Sequence, residues 1–78
     1  MWIEKDNQLV GSFEFSDFLE AFAFITQVAL VAEKMNHHPD WSNVYNRVEI
    51  RLYTHDAGNM VTTKDRELAS IIESIYHR

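Results

Sequence analysis

The sequence predicts a two-layer α+β domain: an antiparallel sheet with helices packed on one face. Three observations predict it. Stretches in which apolar and polar residues alternate open the chain and return in its second half. Two stretches with apolar residues at three-four spacing follow them, one after each set of strands. The resulting order of strand, strand, helix, strands, helix has no linker, repeat or low-complexity tract to break it into units, which is the pattern of an antiparallel sheet covered by helices.

The opening "MWIEKDNQLVGSFEF" reads as two short strands with a turn at Asp6 and Asn7. Leu9, Gly11, Phe13 and Phe15 alternate onto one face of the second strand, and Gly11 is expected to weaken that strand or to mark a bulge. Ser16 or Asp17 then caps a helix, with the Asp17/Glu20 pair at box-like spacing. Phe18, Phe22, Ile25, Ala29 and Ala32 form the apolar stripe expected to face the core. Leu19, Val28, Leu30 and Val31 widen that stripe beyond a single face, so part of this helix is expected to meet another subunit. The helix should stop near Asn36, because His38 precedes Pro39 and is biased away from helical geometry.

In "WSNVYNRVEIRLYT", Val48, Ile50 and Leu52 alternate with Arg47, Glu49, Arg51 and Tyr53, the mark of a strand with one buried face. Trp41 to Tyr45 is its expected hairpin partner, turning near Asn46. The polar loop "HDAGNMV" leads to a last helix, begun by Thr62 with Asp65 three residues on. Leu68, Ile71, Ile72 and Ile75 give this helix a narrow apolar stripe.

Composition bounds the function. At 78 residues the chain is one domain near the lower limit for independent folding. A single core of this size supplies about 3–5 kcal/mol, so oligomerisation is a common remedy. There is no cysteine, which excludes disulfides and thiolate–zinc chemistry. The formal charge is −5 with no basic cluster, an argument against direct nucleic-acid binding. No stretch approaches the roughly 20 apolar residues of a membrane span, and "MWIEKDNQ" carries charge where a signal peptide needs an apolar run. A cytoplasmic location is expected.

The chemistry-bearing segment is "EKMNHHPDW", Glu33 to Trp41, together with "THD" further on. His37 and His38 lie where a helix ends and His55 where a strand ends, and such ends can converge at one edge of a two-layer domain. Convergence would put imidazoles around one pocket, with Trp41 as a flat wall and Glu33 and Asp56 as carboxylates. Imidazole suits proton transfer because its unperturbed pKa of about 6.5 is close to neutral pH. The competing readings are a solvated loop and a zinc site, the latter disfavoured because adjacent histidines are awkward ligands for one metal. Asp65 reads most simply as a helix-start residue favoured by the dipole, and His77 as solvent-exposed.

The segment "AEKMNHHPDWSNVYNRVEIRLYTHDAG", followed by a Thr-x-x-Asp helix start and "ELASIIE", closely resembles the pterin-4a-carbinolamine dehydratase family. The likeness runs from about Trp2 to Ile75. Two departures stand out: family members commonly carry a further N-terminal helix, and the loop "HDAGNMVTTKD" is one residue longer than in the animal proteins. The resemblance implies a four-stranded antiparallel sheet with helices on one side, assembled as a homodimer or homotetramer, and no metal or cofactor beyond the pterin substrate. It implies dehydration of 4a-hydroxytetrahydropterin to quinonoid dihydropterin, the step that recycles the pterin of aromatic amino-acid hydroxylases. It assigns His37 and His55 to acid–base roles flanking the departing hydroxyl and His38 to contact with the pterin. Glu33 would orient a histidine, Pro39 and Trp41 would shape the pocket wall, and Asp56 would help to bind substrate. Two other readings are compatible with the same residues. One is a non-catalytic interaction module, since animal relatives double as dimerisation cofactors of a homeodomain transcription factor. The other is a pterin-binding protein of molybdopterin metabolism.

Overall fold

The computed structural model describes residues 2–77. Four strands, β1 (Trp2–Lys5), β2 (Gln8–Glu14), β3 (Asp40–Val44) and β4 (Arg47–Leu52), form one antiparallel sheet in the order β1-β2-β4-β3. Helices α1 (Phe18–Met35) and α2 (Thr63–Tyr76) cover one face. The α+β class and the order of elements are those the periodicity predicts.

Each hairpin is closed by residues suited to it. Asp6 and Asn7 both take left-handed φ, 51° and 62°, as a tight two-residue turn between twisted strands requires. Tyr45 also has positive φ (51°), and the turn it enters is held by Asn43, whose side-chain amide donates to the Arg47 carbonyl at 2.8 Å. Asn46 ties this hairpin to the other one, its amide donating to the Phe15 carbonyl at 2.9 Å.

The register makes one side of the sheet apolar. Leu9 lies opposite Leu52, Gly11 opposite Ile50 and Phe13 opposite Val48, and the side chains of Leu9, Phe13, Val48, Ile50 and Leu52 point to the helices. Against them pack Ala21, Phe24, Val28 and Ala32 of α1 and Leu68, Ala69, Ile72 and Ile75 of α2. Phe13, Phe24 and Tyr76 meet ring to ring at 4.9–5.9 Å.

Three expectations fail. The α1 stripe is rotated: of Phe18, Phe22, Ile25, Ala29 and Ala32, only Ala32 is buried, while Phe18 and Phe22 are half-exposed. This helix is apolar around most of its circumference, so spacing alone did not select the core face. On α2, Ile71 likewise turns out toward solvent, and Ala69 takes an inward place. Gly11 marks no bulge, since its pairing is continuous on both sides, with Trp2 and with Ile50. It is glycine because the Trp2 ring lies directly on it. A Cβ there would stand 2.8 Å from two ring carbons of Trp2 and 3.0 Å from Phe13. The same indole donates from Nε1 to the Ala69 carbonyl at 3.2 Å, fastening β1 to α2.

Gly11→Ala is therefore expected to lower stability by about 1–3 kcal/mol, the usual cost of overpacking. A lower denaturant midpoint with a shifted tryptophan emission would report it, and an unchanged midpoint would refute the close approach.

Candidate active site

Three element ends meet at one end of the domain. Helix α1 stops at Asn36, whose left-handed backbone (φ 53°) caps the helix through its N–H to the Ala32 and Glu33 carbonyls. Asparagine tolerates that conformation, and the turn drives the next residues, His37 and His38, off the helix axis toward β3. Strand β4 ends at Leu52, and after Tyr53 and Thr54 the chain makes a 3-10 turn, His55–Ala57, closed by Gly58 at φ 77°. Helix α2 begins at Thr62, the N-cap of a capping box completed by Asp65.

Between these ends lies a cleft of about 430 Å³, lined by Asn36, His37, His38, Pro39, Asp40, Tyr53, Thr54, His55, Asp56 and Lys64. That volume is in the range of small-molecule sites. His37, His38 and His55 thus share one cavity, with Pro39 and Asp56 beside them. Glu33 does not line it but bonds His38, carboxylate to Nε2 at 2.8 Å, on the exposed side. Trp41 does not line it either: it lies opposite Ile50 and packs, half-buried, against the hydrophobic core. His77 is exposed and bonds Glu73 at 2.8 Å.

The deepest polar contact joins His37 to Asp65, Nε2 to Oδ1 at 2.5 Å, with both residues buried. Asp65 is wholly inaccessible, and its second oxygen is also occupied. Oδ2 accepts the Thr62 N–H at 2.8 Å and the Thr54 hydroxyl at 2.8 Å. A buried carboxylate persists only when its lone pairs are filled in this way. Burial alone would raise the Asp65 pKa, but the hydrogen bonds from His37, the Thr62 N–H and Thr54 outweigh it and hold the carboxyl below its ordinary 3.8. Because a carboxylate only accepts, the His37 proton in this contact sits on Nε2, and Nδ1 is not engaged by Asp65. On the other wall, His55 Nδ1–H donates to the Asn59 side-chain oxygen at 3.0 Å, leaving Nε2.

Reading the sequence as a helix start caught only half of what Asp65 does. It is both the capping carboxylate and the partner of a histidine 28 residues away. The Thr-x-x-Asp spacing was the available signal; no local pattern announces that the other oxygen faces His37. Thr54, Asn36, Asp40, Tyr53 and Lys64 likewise reach the cleft without a chemical signature in the sequence. Among the described residues, no group of three or more His, Cys, Asp or Glu is placed to hold a metal ion, and no helix is long and apolar enough to cross a membrane.

Residues 1–75 match the family described as pterin 4 alpha carbinolamine dehydratase. A protein of Prochlorococcus marinus (strain AS9601), provisionally named pterin-4-alpha-carbinolamine dehydratase, is 52% identical over 75 residues, covering 96% of this chain and 77% of the relative. A crystal structure from Brucella melitensis, titled a transcriptional coactivator/pterin dehydratase, aligns with a TM-score of 0.90 at 44% identity over 96% of this chain and 81% of that one. A pterin dehydratase-like protein described as a RuBisCO assembly factor of the alpha-carboxysome shares the fold, with a TM-score of 0.78 at 19% identity over 97% of this chain and 87% of that one.

The depressed Asp65 pKa fixes the sign of an acid dependence. Folding favours the ionised form, so its contribution is complete above the ordinary aspartate value and is lost as pH falls through the lower folded value. Asp65→Asn should be less stable than the parent at pH 7 by about 1–3 kcal/mol. The gap should close as pH is lowered through and below the ordinary carboxylate range, measured by urea unfolding at stepped pH; a gap independent of pH would refute the assignment.

Proposed function

Because the chain belongs to the pterin 4 alpha carbinolamine dehydratase family, we propose that it dehydrates 4a-hydroxytetrahydropterin to quinonoid dihydropterin by histidine acid–base catalysis. The observation that supports this reading most directly is the buried His37–Asp65 pair at a cleft also lined by His38 and His55. The reaction breaks the C4a–O bond. The hydroxyl leaves as water after accepting a proton, and a ring nitrogen gives up its proton as the new C=N bond forms. Protons therefore balance, and one donor with one acceptor suffices.

On this reading His37 and His55 flank the departing hydroxyl, each presenting the ring nitrogen that its partner leaves over. His38, oriented by Glu33, contacts the pterin. Pro39 stiffens the wall and Asp56 helps to bind the polar ring edge. Trp41 acts at one remove, its packing fixing the strand that begins just past the histidines. No metal enters the mechanism, and the enzyme serves tetrahydropterin recycling in the cytoplasm. General acid–base catalysis typically contributes 10²–10⁴-fold, which suits a dehydration that also proceeds uncatalysed.

A homo-oligomer fits the same chain. Phe18, Leu19, Phe22 and Leu30 of α1 stand exposed. Between them Thr26 turns its hydroxyl back to the Phe22 carbonyl at 2.9 Å instead of presenting it to solvent. A face so apolar is suited to burial against another copy. A non-catalytic interaction module would use that face too, but has no need of the cleft.

Purified protein is expected to accelerate formation of the quinonoid product, followed by absorbance. His37→Ala and His55→Ala should each remove about 10²–10⁴-fold of that acceleration with circular dichroism unchanged. Native protein without activity would overturn the dehydratase reading, and full activity in a variant would remove that histidine from the mechanism. Light scattering should give a dimer or tetramer that Leu19→Glu with Phe22→Glu converts to monomer; a monomeric parent would overturn self-assembly.

A further inference from the structure

Thr54 is the point where the two walls of the cleft are joined. Its hydroxyl donates to Asp65 Oδ2 at 2.8 Å and lies 2.5 Å from the Thr62 hydroxyl. A hydroxyl has one proton. If Thr54 gives its own to the carboxylate, the short contact with Thr62 must run the other way, Thr62 donating to Thr54. The direct approach of the Thr62 hydroxyl to Asp65 is longer, at 3.4 Å, in keeping with that direction. The order is Thr62 to Thr54, Thr54 to Asp65, with Asp65 accepting from His37 on its other oxygen.

The backbone of the same residue governs the opposite wall. The Thr54 carbonyl accepts from Ala57 and Asn59, both at 3.1 Å, and its N–H donates to the Met60 carbonyl at 2.8 Å. These bonds close the turn on which His55 sits, and Asn59 is also the residue that holds the His55 ring. One residue thus sets the carboxylate behind His37 through its side chain and the turn beneath His55 through its main chain.

We propose that Thr54 is a positioning residue of this site, its hydroxyl fixing the Asp65 carboxylate against His37 while its backbone fixes His55, so that the two imidazoles keep their spacing. The catalytic consequence rests on the dehydratase reading; the hydrogen-bond order does not. A threonine serves here better than an alanine or valine because a buried carboxylate oxygen with too few donors would draw in water or swing away from its histidine.

Thr54→Val keeps the shape and deletes the hydroxyl; Thr54→Ser keeps the hydroxyl and deletes the methyl. In Thr54→Val the Asp65 carboxyl titration, followed by carbon-13 NMR, should move upward, and Thr54→Ser should restore it. The dehydration rate should fall about tenfold or more in the valine variant, mainly in kcat, with an altered pH–rate profile, and return in the serine variant. If the valine variant does not fold, the serine variant decides: it must keep both the parental titration and the parental pH profile, and a raised titration there would overturn the proposal. An Asp65 titration unchanged by Thr54→Val would overturn it as well. Parental protein that titrates as described but lacks dehydratase activity would instead overturn the reading of the reaction, leaving the network in place.

Discussion

A carboxylate with no access to water, Asp65, dictates how the cleft end of this domain is built. Desolvating such a group is expensive unless its oxygens are filled, and here the donors come from three separate places in the chain: His37 after α1, Thr54 after β4, and the Thr62 backbone at the start of α2. Satisfying one side chain therefore fixes the relative positions of three element ends. The histidines gain a defined cleft because the acid beneath them will not tolerate another arrangement.

The rest of the fold makes that end possible without supplying its chemistry. Among the described residues, those buried between the sheet and the helices are apolar apart from the His37–Asp65 pair. The polar pair thus sits at the margin of the core. There His37 retains just enough exposure to reach the cleft while Asp65 retains none. On the proposed reading this division suits acid–base work: the imidazole is accessible, and the carboxylate bonded to it is sealed.

Much of this was readable in the sequence. Strict alternation in β4, the Asp6-Asn7 turn, the stop at Asn36 before His-His-Pro and the Thr62 cap each follow from local chemistry, and local chemistry decided them. The convergence of His37, His38 and His55 was also foreseeable, since residues at element ends have few places to go in a two-layer domain. What escaped was decided by tertiary contact. Helix α1 offers apolar residues on nearly every side, so only the facing sheet selects Phe24 and Val28 over Phe18 and Phe22. Gly11 looks like a weak point until the Trp2 ring is placed over it. Asp65 fits a helix cap so well that its second allegiance, to a histidine far away in the chain, leaves no local trace.

The strand order carries a consequence for how the molecule comes together. β1-β2 and β3-β4 are each local hairpins, whereas the central β2-β4 pairing joins segments on either side of the whole of α1. Closing a short hairpin takes microseconds, and the longer closure is the entropically costly one. Neither hairpin alone brings a histidine to its acid, because His37 and Asp65 lie beyond the two ends of the β3-β4 unit. Each hairpin can therefore form from neighbouring residues alone, whereas the cleft requires the ends of α1 and α2 to meet across the whole β3-β4 unit.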